Sequence, residues 1–121
     1  SGGAARAVVF ALSRLGIHYR VVSRTPGKGK TTYPEITREI IHAHTLIINA
    51  TPLGMGRYRG LYPDIPYQHL TPRHLLFDLI YNPPLSPFLQ KGKAKQAKIK
   101  NGYTMLQAQA EQAWEIWSSR D

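Results

Sequence analysis

The stretch whose reading decides the fold is Leu46–Gly56, LIINATPLGMG. TLIINA (Thr45–Ala50) is a continuous run of strand length, mostly apolar, the pattern of a strand buried on both faces. It runs into a loop made of a small amide, a hydroxyl, a proline and two glycines. A loop so short of side chains lets its backbone come close to something else.

Working outward, the other elements alternate. Val8, Ala11, Leu12 and Leu15 fall at helical spacing with Gly16 as a stop, so a helix is expected over Ala4–Leu15. IHYRVVS (Ile17–Ser23) has strand composition, and TPGKGK (Thr25–Lys30) is a loop by its proline and glycines. TTYPEITREIIHAH (Thr31–His44) begins extended and becomes a short helix with Pro34 in its first turn. After an irregular stretch from Thr51 to about Thr71, HLLFDLIYNP (His74–Pro83) reads as another buried strand. Ser86 followed by Pro87 starts a helix, AKIKN (Ala97–Asn101) is a last short strand, and Tyr103–Ser118 is a final helix. Leu106, Ala110, Ala113, Trp114 and Trp117 share one face of it. With every crossover long enough to hold a helix, the expectation is one α/β domain over residues 1–121 with a mainly parallel sheet.

Composition narrows the function. At 121 residues, 42% of them hydrophobic, the chain can build a core. It has no cysteine, which excludes disulfides and thiolate metal sites. No apolar run is long enough to span a membrane, and no signal peptide is recognisable, so a cytoplasmic protein is expected. The five histidines have no metal-ligand spacing, and no metal is expected. The net charge of +9 raises the question of nucleic acid. Most of the excess lies in TPGKGK and in QKGKAKQAKIK (Gln90–Lys100), and no nucleic-acid signature accompanies it, so nucleic acid is not the expected partner.

Ligands of parallel sheets sit beyond the carboxyl ends of the strands. Those ends read VSRT, INATPLGM, DLIYNP and IKNG, all rich in Asn, Thr, Tyr, Arg or Gly. The opening SGGAARA feeds glycine into a helix whose first amides suit an anion such as a pyrophosphate. At the end of the first predicted strand an NAD site would carry a carboxylate for the ribose. Ser23, Arg24 and Thr25 stand there instead, with Lys28 and Lys30 following. Cations and hydroxyls suit a 2′-phosphate, which points to NADP.

Taken together, GGAARAVVFAL, SRT, INATPLGM, DLIYNP with PFL, and NGYTMLQAQAEQAWEIW resemble, in order and spacing, the cofactor-binding half of the shikimate dehydrogenase family. The resemblance implies a Rossmann-like fold, NADP as cofactor, and a parent enzyme that moves a hydride between NADPH and 3-dehydroshikimate in aromatic amino-acid biosynthesis. It implies that Gly2, Gly3 and Ala4 hold the pyrophosphate, that Arg24 and Thr25 with Lys28 hold the 2′-phosphate, and that Asn49, Ala50 and Thr51 line the cofactor crevice. Tyr81 would stand where nicotinamide and substrate meet, Gly102 and Met105 would flank the nicotinamide, and Gln109 would bond substrate hydroxyls. Ser23 replaces the family's usual asparagine, and Tyr103 a common leucine.

The family carries its catalytic lysine and aspartate on a preceding domain with no counterpart here, so no catalytic residue is expected in this chain. Shikimate or 3-dehydroshikimate would be engaged through that missing domain. The Rossmann sheet's first strand is also missing from the pattern, which would leave its two neighbours with unpaired ladders. Closure of the gap, exchange of segments between chains, or an upstream peptide would each resolve this. Trp114 and Trp117, without the absent domain, would drive self-association. Two other functions remain open from the sequence: a non-catalytic nucleotide-binding regulatory module, and a basic nucleic-acid-binding domain.

Overall fold

A computed structural model describes residues 3–104. Gly2, Met105, Gln109, Trp114, Trp117 and nearly all of the expected final helix lie outside the described residues.

The chain opens on helix α1 (Gly3–Arg14), close to its expected bounds. Gly16, at φ +68°, ends it: its amide bonds the Ser13 carbonyl at 3.1 Å, and the Ile17 amide bonds that of Leu12 at 3.0 Å. This pair of bonds is the Schellman cap, which needs a left-handed residue at that position. Strand β1 (Val21–Ser23) follows and pairs in parallel with β2 (Lys30–Thr32). β1 is shorter than the expected Ile17–Ser23 strand, and Lys30 belongs to β2 rather than to the loop.

The crossover between these two strands departs from the expectation that every crossover is long enough to hold a helix. Only Arg24–Gly29 lie between them, with no helix. Parallel strands usually need a dozen residues or more to return; three-residue strands have little length to retrace. Pro34 corrects the next expectation. It sits in a 3-10 turn (Tyr33–Glu35), while helix α2 (Arg38–Ala43) starts three residues after that turn ends, with Thr37 Oγ1 accepting from the Ile40 amide at 3.2 Å.

Strands β3 (Leu46–Asn49), β4 (Leu75–Asp78) and β5 (Lys98–Lys100) form a second parallel sheet in that order. Helix α3 (Pro87–Ala94), capped by Ser86 Oγ accepting from the Leu89 amide, packs on β4 and β5. Gly92 makes that approach close, since a Cβ there would stand 2.6 Å from the Leu76 side chain. The core sits on this sheet: Ile41, Ile65, Leu70, Leu76, Phe88, Leu89 and Ala97 are buried together. β3 does not meet the expectation of burial on both faces, because Leu46 is 43% exposed and Ile47 and Ile48 are only half-buried.

The two sheets have a simple relation to a doubly wound order. In 3-2-1-4-5-6, removing strand 1 leaves a pair, 3-2, and a triplet, 4-5-6. The described residues form a pair, β2-β1, and a triplet, β3-β4-β5, with no strand between them. β1 and β3 each keep one unpaired ladder edge, and helix α1 has no buried residue. The fold is Rossmann-like with its central strand missing from the described residues.

Candidate functional site

Three strand ends converge at the carboxyl edge of the triplet. The Leu79 amide donates to the Asn49 carbonyl at 3.2 Å, and the Gly102 amide to the Ile80 carbonyl at 3.1 Å. Gly102 is there because nothing larger fits: a Cβ would stand 2.0 Å from the Leu79 carbonyl oxygen. Tyr81, beside it, is 47% exposed, with its side chain at the surface.

The loop after β3 is built from inside. Asn49 is buried, and its Nδ2 donates to the Leu53 carbonyl at 3.3 Å and to Asp78 Oδ1 at 3.2 Å. Its Oδ1 accepts from the Thr51 amide at 3.1 Å and from the Thr51 hydroxyl at 2.6 Å. Thr51 Oγ1 in turn accepts from the Leu53 amide at 3.2 Å. Gly54, at φ +100°, is buried against Ser86, Ile80 and Pro87, a conformation that L side chains rarely adopt. Ala50 and Thr51 are half-buried at the mouth of this loop.

Asp78, fully buried, anchors the arrangement. Its carboxylate accepts from Asn49, from the Ile80 amide at 3.0 Å, and from the Ser86 hydroxyl at 2.5 Å. Burial raises its pKa above the ordinary carboxylate value, while these three donors pull it down. Asp78 and Ser86 were not expected at the site as supporting residues. An acid within the apolar run HLLFDLIYNP was the signal, because a buried carboxylate must find donors.

The basic loop runs from the carboxyl end of β1, where Arg24 and Thr25 stand, to the amino end of β2, which Lys28 precedes by two residues. Arg24, Thr25 and Lys28 are exposed, and the Thr25 amide donates to Ser23 Oγ at 3.2 Å. Gly3 and Ala4 are exposed at the start of α1, whose first turn holds no acidic side chain, so its amino end favours an anion. The structure thus groups Asn49, Ala50, Thr51, Tyr81 and Gly102 on one sheet. Arg24 and Thr25 follow the carboxyl end of the other sheet's β1 and Lys28 precedes the amino end of its β2, with no strand pairing between the two sheets. A cleft of about 530 Å³ opens at the amino ends of β1 and β2, lined by His18, Arg20, Lys30 and His44 among others. It lies at the opposite end of β1 from Arg24 and Thr25, and Gly29 of the basic loop lines it. Among the described residues no three His, Cys, Asp or Glu side chains are grouped to hold a metal ion, and no helix is long and apolar enough to cross a membrane.

Comparison with known proteins decides the family. The shikimate dehydrogenase (NADP(+)) of Ignicoccus hospitalis is 40% identical over 125 residues, covering 97% of this chain and 46% of its own length. The chain belongs to the shikimate dehydrogenase family. It spans about half the length of the curated relatives it matches. The crystal structure of shikimate dehydrogenase from Aquifex aeolicus superimposes with a TM-score of 0.81 at 30% identity, over 98% of this chain and 46% of that one. The Thermus thermophilus enzyme, solved with NADP(H) and shikimate, gives a TM-score of 0.78 at 30% identity over the same shares. No family model matches the chain.

Proposed function

We propose that residues 1–121 form the NADP-binding domain of a shikimate dehydrogenase and serve hydride transfer between NADPH and 3-dehydroshikimate. The observation that carries this reading is the build of the carboxyl edge. There an internally hydrogen-bonded, side-chain-poor loop (Asn49–Gly54) and Gly102 stand at neighbouring strand ends, with Tyr81 exposed after β4 and an exposed basic loop after β1. Relatives named as NADP(+) enzymes support it. A cytoplasmic location goes with the same reading.

The cofactor supplies the hydride when bound; the chain's residues bind and orient it. Gly2, Gly3 and Ala4 hold the pyrophosphate through backbone amides at the head of α1. Arg24, Thr25 and Lys28 hold the 2′-phosphate, a role their exposure and lack of a neighbouring carboxylate in sequence support. The Asn49–Gly54 loop, Gly102 and Met105 pass against the nicotinamide side, and Tyr81 and Gln109 face the substrate. Asn49, with all four hydrogen-bonding positions engaged inside the protein, serves by shaping the loop. Reduction of the carbonyl also needs a proton at its oxygen, and a general acid from outside this chain delivers it. The chain alone therefore turns over no shikimate.

Calorimetric titration with NADP and with NAD, at matched salt, tests this reading. NADP is expected to bind at least about tenfold more tightly, with Arg24→Ala removing most of the difference. Equal affinities, or an Arg24→Ala variant that still prefers NADP, would contradict the assignment of the basic loop.

A further inference from the structure

The hydrogen bonds around Asn49 have a direction, and that direction reaches the ligand. An ionised carboxylate can only accept, so the amide end of Asn49 faces Asp78 and its oxygen faces Thr51. Turned over, Asn49 would set its oxygen against the Asp78 carboxylate and the Leu53 carbonyl, and its NH₂ against the Thr51 amide. With the observed orientation, the Thr51 hydroxyl proton is spent on Asn49 Oδ1 and one of its lone pairs on the Leu53 amide. What Thr51 has left is one lone pair. The Ser86 hydroxyl and the Ile80 amide hold the carboxylate in place from two further elements.

We infer that Asp78 is a positioning residue of the candidate site: through Asn49 it fixes the Thr51 hydroxyl as an acceptor, so the ligand group met there is a hydrogen-bond donor. That group is a hydroxyl or an amide N–H. A phosphate oxygen would meet lone pair with lone pair, which assigns the phosphates to α1 and the basic loop and leaves Thr51 to a ribose or carboxamide donor. This inference rests on the cofactor reading above.

Asp78→Asn tests it, because the variant keeps the volume but puts an NH₂ in place of one of the carboxylate oxygens that accept around Asn49. In the isotope-labelled free chain, the Asn49 side-chain NH₂ and Thr51 amide resonances are expected to move. With NADP as probe, Asp78→Asn and Thr51→Val each raise Kd about tenfold, and the double variant binds no more weakly than either, because the two act as a unit. Thr51→Ser keeps wild-type affinity. A merely structural Asp78 would lower Tm while leaving the Thr51 resonance and the Kd unchanged, and that result overturns the inference; so do additive losses in the double variant. If the wild type binds no NADP, the cofactor reading fails and the free-chain resonances decide the positioning role alone: movement upholds it, no movement overturns it. Should Asp78→Asn fail to fold, Thr51→Val against Thr51→Ser decides. A loss confined to valine upholds the acceptor, and an unchanged valine variant overturns it.

Discussion

The side-chain amide of Asn49 donates to the carboxylate of Asp78 at 3.2 Å, tying the last residues of two adjacent strands that are 29 positions apart in sequence. Both residues are buried, and each has further partners that leave no polar side-chain atom stranded. The loop after β3 is therefore held from the strand beside it.

Removing the anchor should be costly. Asp78→Ala leaves the Asn49 amide, the Ile80 amide and the Ser86 hydroxyl facing a void, and each buried unsatisfied donor costs about 1–3 kcal/mol. Urea denaturation should show a loss of about 3 kcal/mol or more for Asp78→Ala and a clearly smaller one for Asp78→Asn. Equal losses would mean that the hydrogen bonds matter less than the packing.

The same carboxyl gives a pH dependence of definite sign. Burial raises its pKa above the ordinary 3.8, so the folded chain binds this proton more tightly than the unfolded chain does. That contribution is complete below the unfolded value and is lost as pH rises through the higher folded value. The stability of wild type minus that of Asp78→Asn should fall with rising pH across this window and level off above it. Glu35, lowered first by the hydrogen bond from the Thr32 amide, has the opposite dependence but is present in both proteins and cancels. A difference that grows with pH would contradict the assignment.

Two glycines should respond unequally to a methyl group. At Gly102 the new Cβ meets backbone, 2.0 Å from the Leu79 carbonyl oxygen; at Gly92 it meets the end of the Leu76 side chain at 2.6 Å. A side chain can change rotamer and the hydrogen-bonded backbone at Leu79 cannot, so Gly92→Ala should cost about 1–3 kcal/mol and Gly102→Ala more. Thermal unfolding of the two variants checks the order.

His74 should matter for folding and not for the ligand. It is buried, with Nδ1 accepting from the Thr71 amide at 3.0 Å and Nε2 donating to the Ile41 carbonyl at 2.8 Å, which locks α2 to the start of β4. His74→Leu should lower stability by about 2 kcal/mol and leave the NADP Kd of the folded chain unchanged. A raised Kd with unchanged stability would contradict this.

Much of the fold was legible because it is written locally. Gly16 stops a helix because it alone takes φ +68° there without strain, and Ser86 caps one because its hydroxyl reaches an amide three residues on. The apolar runs at Thr45–Ala50 and His74–Pro83 announced two strands of the triplet, β3 and β4. The crossover at Arg24–Gly29 was not legible, since proline and glycine mark a loop without saying that it replaces a helix. Nor was the start of α2: Pro34 and Thr37 are both good helix-start residues, and packing of Ile41 chose the second. At the site, the residue types of the loop showed that it approaches something, whereas the inward turn of Asn49 depends on Asp78, a partner local patterns cannot reveal.

The most direct test of the account is to titrate the isotope-labelled chain with NADP and follow each backbone amide by NMR. NADP should give the largest shifts at Gly3 and Ala4, at Arg24, Thr25 and Lys28, and from Ala50 to Gly54, with Gly102 following. Shifts confined to the cleft of His18, Arg20, Lys30 and His44, or none at saturating NADP, would contradict it.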